Sequence, residues 1–280
     1  MGLDLNWQQD FLLAVHQFNP SATFLTVDHY QLVDCGKVLV NLVPISNSYS
    51  PEQLLNLQAT YAENGNLLVQ LWEDVWLTKR PQVLARIRSF LGLNSSFHGR
   101  KTRVALICQA ESSAFMANHH LQGYVKAKYH YGLFDQHKLI AAASFSGPRP
   151  MKSKGEHYRS AELVRFASVA GITIVGGLSK LIRHYISQVK VDDVMTYADR
   201  DWSLGKGYDR LNFHYSGMVK PQALYLDLNQ MIRYFPHRLP QEILMAHSAK
   251  NDLNLDDFLL RKGFAKIFNT GNLKYHLYQI

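Results

Sequence analysis

Two glycines, a carboxylate, a phenol and a guanidinium are spaced in this chain as a site for an anion and a proton transfer would need. Gly176-Gly177 precede a segment in which Leu178, Leu181, Ile182, Tyr185 and Ile186 recur on one face of a helix. A glycine pair there lets the backbone approach a ligand closely. The first turn of the helix aims free N–H groups and the positive end of its dipole at the same point. Anions are the usual guests, so Val175, Gly176, Gly177, Leu178, Ser179 and Lys180 form the candidate cradle, with Ser179 adding a hydroxyl. Read alone, the pair also fits a plain tight turn. Asp199 closes the apolar run that starts at Val194, and Tyr208 follows nine residues later. A carboxylate and a phenol can both move protons. Arg165 cuts the run Leu163–Ala167; it can hold an anionic group or pair with Glu162 or Asp199.

These residues need a scaffold of strands and one long helix. Leu163–Ala167 and Val194–Ala198 are short apolar runs that suit buried strands on either side of the helix. Upstream, Arg103–Gln109 reads as a strand, and Ser112 as the cap of a helix running to about His120. Tyr129–Phe134 and Leu139–Phe145 read as a strand pair joined through Asp135-Gln136-His137-Lys138.

The order strand, glycine turn, helix, strand, then Gly207-Tyr208-Asp209-Arg210-Leu211-Asn212-Phe213 resembles the GNAT superfamily of N-acetyltransferases over roughly Arg103 to Asp227. The resemblance implies a turn and helix that hold the pyrophosphate of acetyl-CoA or another acyl-CoA. It also implies a tyrosine, here Tyr208, that protonates the departing CoA thiolate. Where that superfamily has a basic residue at the start of the turn, this chain has Ile174-Val175-Gly176-Gly177. The stretch VRFAS…VGGLSKL…YADRDWSLGKGYDRLNF is also similar to the C-terminal part of phage homing-endonuclease-like proteins and of Mom-type DNA-modification proteins. That likeness places Arg165, Ser179, Asp199 and Tyr208 at their arginine, serine, aspartate and tyrosine, which makes Asp199, Tyr208 and Arg165 the expected catalytic set.

Residues 1–97 read as a separate small α/β unit: a helix with Trp7, Phe11, Val15 and Phe18, strands over Ala22–Tyr30 and Lys37–Val43, a helix from Pro51, a strand Asn66–Trp72 and a further helix. LVQLWEDVW followed by KRPQVLARI resembles the nuclease-like part of the same phage proteins, related to very-short-patch-repair endonucleases. Such nucleases hold Mg²⁺ with acidic oxygen ligands. Asp28 stands at the first acid, but Asn41 at the second, and Asn56 and Gln58 at the H-x-x-K positions. Amides carry no charge for the metal, so the expectation is a nuclease-like fold that has lost cutting, with no metal. Glu73-Asp74 read as a solvated helix start.

The expected fold class is α/β (α+β): a small degenerate nuclease-like domain (1–97), a GNAT-like mixed sheet flanked by helices (98–230), and a C-terminal extension packing on it (231–280). Asn94–Arg100 is the expected linker, Asn251-Asp252 a break, and Gly263–Tyr275 a closing hairpin with Asn272 or Lys274 near the site. The chain of 280 residues is 47% hydrophobic and 19% charged, a globular composition. Its formal net charge of +8 favours polyanions or an acidic cofactor. In the polar loop Ser146–Ser160, Arg149, Lys152, Lys154 and Arg159 can lie against a phosphate backbone, or simply face solvent. Cys35 and Cys108 are the only cysteines, which excludes a disulfide framework and fits a reducing compartment. The opening MGLDLNWQQD lacks a secretory pattern, and no apolar run reaches the ~20 residues that span a bilayer, so a cytoplasmic location is expected. The sequence leaves the oligomeric state open. Two functions follow as expectations: an acyl-CoA-dependent N-acyltransferase acting on nucleic acid or a nucleotide-like amine, or a non-catalytic nucleic-acid-binding protein.

Overall fold

The computed structural model describes residues 7–249 and 253–279. The first six residues of the MGLDLNWQQD opening and the break at Asn251-Asp252 lie outside the described residues. Helix α1 (Trp7–His16) buries Trp7, Phe11, Ala14 and Val15. Strands β1 (Thr23–Val27), β2 (Tyr30–Asp34) and β3 (Val38–Val43) form an antiparallel ribbon. The expected single strand Ala22–Tyr30 is cut because Asp28 takes φ 52 and reverses the chain at Asp28-His29. Helix α2 (Pro51–Glu63) then crosses over to β4 (Leu67–Trp72), which pairs parallel to β3; parallel neighbours require such a crossover. Ser50 and Gln53 build a capping box at the start of α2, with Pro51 in the first turn.

Helix α3 (Glu73–Leu91) is broken at Lys79 (φ −133, ψ 27), two residues before Pro81. Proline lacks the N–H that would close that turn. A boundary between two compact units falls at this break. The first unit comprises Met1–Thr78, Asp199–Ser203 and Val219–Asn272; the second comprises Lys79–Ala198, Leu204–Met218 and Leu273–Ile280. This division departs from the expected borders at 97 and 230. Most of the C-terminal extension belongs to the first unit, not to the second.

The second unit contains β5 (Ser95–His98), β6 (Arg103–Leu106), α4 (Gln109–His119), β7 (Tyr129–Asp135), β8 (Lys138–Phe145), β9 (Arg149–Pro150), β10 (Arg159–Ser168), β11 (Ile172–Val175), α5 (Gly177–Gln188), β12 (Asp193–Asp199, its last residue counted in the first unit), α6 (Lys206–Asp209) and β13 (His214–Val219). In the first unit, β14 (Ala223–Asp227), β15 (Ile232–Tyr234), α7 (Gln241–Ser248), α8 (Leu255–Arg261) and β16 (Phe264–Phe268) follow; β17 (Asn272–Tyr278) returns to the second. One large sheet has the order β13-β17-β12-β10-β8-β7-β6, with β9 beside β10. It is mixed: β10 runs parallel to β12 and antiparallel to β8. Helix α5 covers one face, packing Leu181, Ile182 and Tyr185 against Leu133, Phe145, Leu163 and Val194. Helix α4 covers the other, with Phe115 and Met116 against Ile107, Ala142 and Ala167. Each fully buried large side chain contributes about 1.5–3 kcal/mol relative to exposure, so these stripes fix which sheet face each helix covers.

Three local expectations change. Cys108, not Ser112, caps α4, forming a capping box with Glu111; Ser112 is buried inside the helix, where its hydroxyl lies 3.2 Å from Ser144. The expected linker holds β5, which pairs in parallel with β11 from Ile172↔Ser95 to Val175↔His98. The expected closing hairpin does not form: β16 pairs with β14, whereas β17 enters the large sheet between β13 and β12. Gly271, at φ 84, turns the chain between them, where any Cβ would overlap the Val219 carbonyl.

Candidate functional site

The parallel strands β10 and β12 pair through Ser160↔Asp193, Ala161↔Val194 and Glu162↔Met195; among the described residues no further ladder pair joins them. On its other side β10 shifts register against β8 between Leu163 and Arg165. A bulge of this kind bends a strand away from its neighbour. Where the ladder stops, a side chain bridges instead: Thr196 Oγ1 donates to the Leu163 carbonyl at 3.0 Å. The Tyr208 hydroxyl lies 3.5 Å from the same Thr196 oxygen. Gly205, at φ 79, begins the short helix α6 that presents Tyr208. A Cβ on Gly205 would overlap the Tyr275 phenol, so the close approach requires glycine. Tyr208 packs against Phe213 and Tyr275, with ring centroids 5.5 Å away in each case.

At the start of α5, Gly176 takes φ 71 and no side chain caps the first turn. Gly177 is buried; a Cβ there would sit 2.6 Å from Ile174 Cγ2 and 3.0 Å from Leu133 Cδ1. The chain crosses this turn closely at Gly99, where a Cβ would sit 3.0 Å from both the Gly177 nitrogen and the Val175 carbonyl. A cavity of about 480 Å³ opens beside it, lined by His98, Gly99, Arg100, Val175, Gly176, Lys180 and Arg183. Of the expected cradle residues, Val175, Gly176 and Lys180 reach the cavity. Gly177 backs the turn, Leu178 packs on the core, and Ser179 is half-buried in the first turn. Lys180 Nζ donates to the Gly99 carbonyl at 3.1 Å and to the Thr102 carbonyl, tying α5 to the segment after β5. Sequence reasoning missed His98, Arg100 and Arg183. Arg183 lies three residues after Lys180, a helical spacing that places both on one face. Arg100 arrives only through the pairing of β5 with β11, which has no local signal.

The three expected catalytic residues have different partners. Arg165 Nη1 donates to the Val164 carbonyl at 2.8 Å. Its charge acts on His120 at the end of α4, whose pKa is pushed down to about 3, first by burial and then by Arg165 and Arg86. Asp199 falls in the first unit and Tyr208 in the second. Asp199 Oδ1 accepts from the Asp201 N–H at 3.0 Å. Asp201 accepts from the Thr270 N–H at 3.0 Å and from its hydroxyl at 2.6 Å. Burial first, and the Asp199 charge second, push the Asp201 carboxyl up to about 7. Arg233 clamps Asp74 through Nε and Nη2 at 2.6 and 2.7 Å and feels both Asp201 and Asp199. Asp199 therefore belongs to a charge cluster around buried Asp201. A carboxylate the sequence offered only as an ion-pair partner stands at the divergence instead. Glu162 is the last β10 residue in the ladder, and its charge, after burial, helps raise the Tyr197 phenol.

The basic loop is anchored. Asp193, fully buried, accepts from Lys154 Nζ at 2.9 Å, Tyr158 at 2.7 Å and the Ser160 hydroxyl, with His276 Nδ1 at 3.3 Å. Burial raises its carboxyl, but these hydrogen bonds outweigh that and hold it below the usual aspartate range. Lys154 is thus engaged, while Arg149, Lys152 and Arg159 are exposed.

In the first unit, Asn41 is fully buried and donates through Nδ2 to Gln70 Oε1 at 2.7 Å. Gln58 Nε2 donates to the Arg200 carbonyl at 2.7 Å. Asn56 and Asp28 are exposed. Glu73 and Asp74 are buried, against the expectation of a solvated helix start: Glu73 accepts from the Ile45 N–H at 2.9 Å and Asp74 binds Arg233. Among the described residues no group of three His, Cys, Asp or Glu is placed to hold a metal ion, and no helix is long and apolar enough to cross a membrane.

No family model matches the chain, and no curated protein matches it. Solved structures similar to it include a Bacillus subtilis acetyltransferase in complex with CoA, at 13% identity and a TM-score of 0.37, covering 64% of this chain and 100% of that one. A GNAT family acetyltransferase from Elizabethkingia anophelis with acetyl-CoA bound matches at 9% identity and a TM-score of 0.36, covering 64% of this chain and 99% of that one. FeeM, an N-acyl amino acid synthase from uncultured soil microbes, matches at 12% identity and a TM-score of 0.37, covering 63% of this chain and 89% of that one. Likenesses this distant leave function to the chain's own residues.

Proposed function

We propose that the second unit is an acyl-CoA-dependent N-acyltransferase of GNAT type, acting on an amine of nucleic acid or of a nucleotide-like molecule. The observation that carries this reading is the divergence of β10 from β12 after three ladder pairs, with the Tyr208 hydroxyl beside Thr196 at the opening. Two parallel strands that part leave main-chain groups facing a gap, where an extended carrier arm can hydrogen-bond. The residues fit such a donor: an uncapped helix start and a cationic cavity suit its phosphates. Acyl-CoA would supply a thioester carbonyl for an amine to attack and a thiolate leaving group. In this reading Tyr208 would give its phenolic proton to that sulfur, and Glu162, at the end of the ladder, would take a proton from the amine. Exposed Arg149, Lys152 and Arg159, with the net charge of +8, favour a phosphate-bearing acceptor.

Calorimetry with acetyl-CoA and a steady-state thiol-release assay test the proposal. Tyr208→Phe is expected to keep thioester affinity and lower turnover by about 10²–10⁴-fold. Absence of thioester binding by the wild type, or unchanged turnover in the variant, ends the proposal. The same basic surface also supports a binding protein without catalysis. Mass spectrometry of protein taken from cells separates the two: co-purified CoA supports the transferase, and nucleic acid alone supports the binder.

A further inference from the structure

We infer that the first unit carries a ligand site of its own, which takes a planar heteroaromatic ring of nucleobase type. This goes beyond the acyltransferase reading, which concerns the second unit alone. A cavity of about 300 Å³ lies in the first unit, walled by Tyr49 from the loop between β3 and α2, Trp72 at the end of β4 and Phe268 at the end of β16. That volume, at the lower end for small-molecule pockets, suits one ring system. The walls are rings held in place. Trp72 and Phe268 meet edge to face with centroids 5.2 Å apart. Tyr49 stacks on Tyr30, also at 5.2 Å, and its hydroxyl donates to the His29 carbonyl at 2.8 Å. Aromatic walls fixed in this way favour a further flat ring and lose little freedom on receiving it. One buried polar atom then selects among flat rings. Trp72 is 1% exposed, and its indole Nε1 has no hydrogen-bond partner among the described residues. A buried indole N–H ordinarily finds an acceptor, and it can only donate. The ring that fits must therefore carry an acceptor on its edge. Gln222 adds the complement: Asn269 takes its backbone N–H at 3.0 Å, whereas its side chain is exposed on the cavity lining. A carboxamide donates and accepts side by side, as the pairing edge of a nucleobase does. Charge has little share. Lys266 on the lining pairs with Asp256 at 2.6 Å, and Arg233, 5.7 Å over the Trp72 ring, clamps Asp74. The site reads the ring and not a phosphate.

The experiment is a ligand-observed NMR titration of the full chain with uridine, uridine 5′-monophosphate, a short oligouridylate and indole. A pyrimidine is used because CoA contains adenine, so failure here leaves the acyltransferase reading untouched. The wild type is expected to bind uridine with a Kd of about 0.1–1 mM, as suits a ligand of this size. The monophosphate should bind within about threefold of that, since an exposed, paired lysine adds little. Ala223 is exposed on the cavity lining, so Ala223→Phe should abolish uridine binding and melt within about a degree or two of the wild type. Trp72→Phe keeps a ring and removes the donor. It should weaken uridine about fivefold more than it weakens indole, which has no acceptor on its edge. Wild-type protein that does not bind uridine overturns the inference, as does Ala223→Phe protein that binds it as tightly. A folded Trp72→Phe variant that loses uridine and indole equally also overturns it. Should that variant not fold, exposed Gln222→Leu decides: an affinity for uridine about fivefold lower supports the site, and an unchanged one overturns it. Monophosphate bound about tenfold more tightly than uridine would make the phosphate the feature that is read, and overturns the inference too. The oligonucleotide separates two sources of one chemistry. If Ala223→Phe weakens its binding, the site takes a base within a strand; if only uridine binding is lost, the site takes a free nucleoside.

Discussion

Replacing Asp201 by asparagine should stabilise the first unit at neutral and alkaline pH and do almost nothing in acid. Asp201 is 4% exposed. Burial, then the neighbouring Asp199 charge, lift its carboxyl from 3.8 to about 7, against the opposing pull of Thr270 and Arg233. The folded chain therefore holds this proton more tightly than the unfolded chain does. Stability falls as pH rises from 3.8 to about 7 and stays at the lower level above that. At about 1.4 kcal/mol per pH unit the whole window is worth about 4 kcal/mol as an upper figure. Asparagine is neutral throughout and keeps an Oδ1 to accept from the Thr270 N–H and hydroxyl. The expected gain is thus about 2–4 kcal/mol at pH 8 and close to zero at pH 4. Trp7, Trp72, Trp76 and Trp202 are the four tryptophans of the chain, and all lie buried in the first unit. Urea denaturation followed by tryptophan fluorescence from pH 4 to pH 9 therefore reports the unit concerned. A difference between variant and wild type that does not grow between pH 4 and pH 7 would refute the reasoning, as would destabilisation at pH 8.

Two further variants test how the second unit holds the site. Lys154→Met removes one partner of buried Asp193, whose folded pKa is held low; that contribution is present above the unfolded aspartate value and is lost as pH falls through the folded one. With Lys154 partly exposed, the expected loss is about 1–2 kcal/mol at pH 7, shrinking toward pH 3, measured by circular dichroism against urea; a loss independent of pH would contradict the assignment. Gly177→Ala places a Cβ against Ile174 and Leu133 and should cost about 1–3 kcal/mol in melting experiments. Combined with Ile174→Ala it should lose less than the two single variants together, because the second substitution makes room; strictly additive losses would refute the contact.

The elements around the glycine turn were legible because their signals are local. Leu181, Ile182 and Tyr185 repeat with the period of a helix, and the structure buries those three on α5. Gly176 adopts a positive φ, which a pair of glycines announces. The strand ending at Asp199 and the hairpin through Asp135–Lys138 also match their patterns. The sequence shows uncharged amides at Asn41 and Gln58, but not that Asn41 bonds Gln70 across two strands or that Gln58 holds the Arg200 carbonyl. Ser95–His98 was opaque because a short polar segment has no strand signature until a partner edge, β11, satisfies its backbone.

Sequence alone determined the order of β10, the glycine turn, α5 and β12 in the second unit, the cation-free glycine turn, and a phenol shortly after β12. These follow from side-chain period and from glycine's freedom at positive φ, which act over a few residues. Tertiary structure decided which groups meet. It put Asp199 into a charge cluster with buried Asp201 and Arg233, pinned Lys154 on Asp193, brought Arg100 to the wall beside Gly176, and left Glu162 where β10 and β12 part. Each of these depends on residues dozens of positions apart being brought together by the fold, and no local pattern encodes that choice.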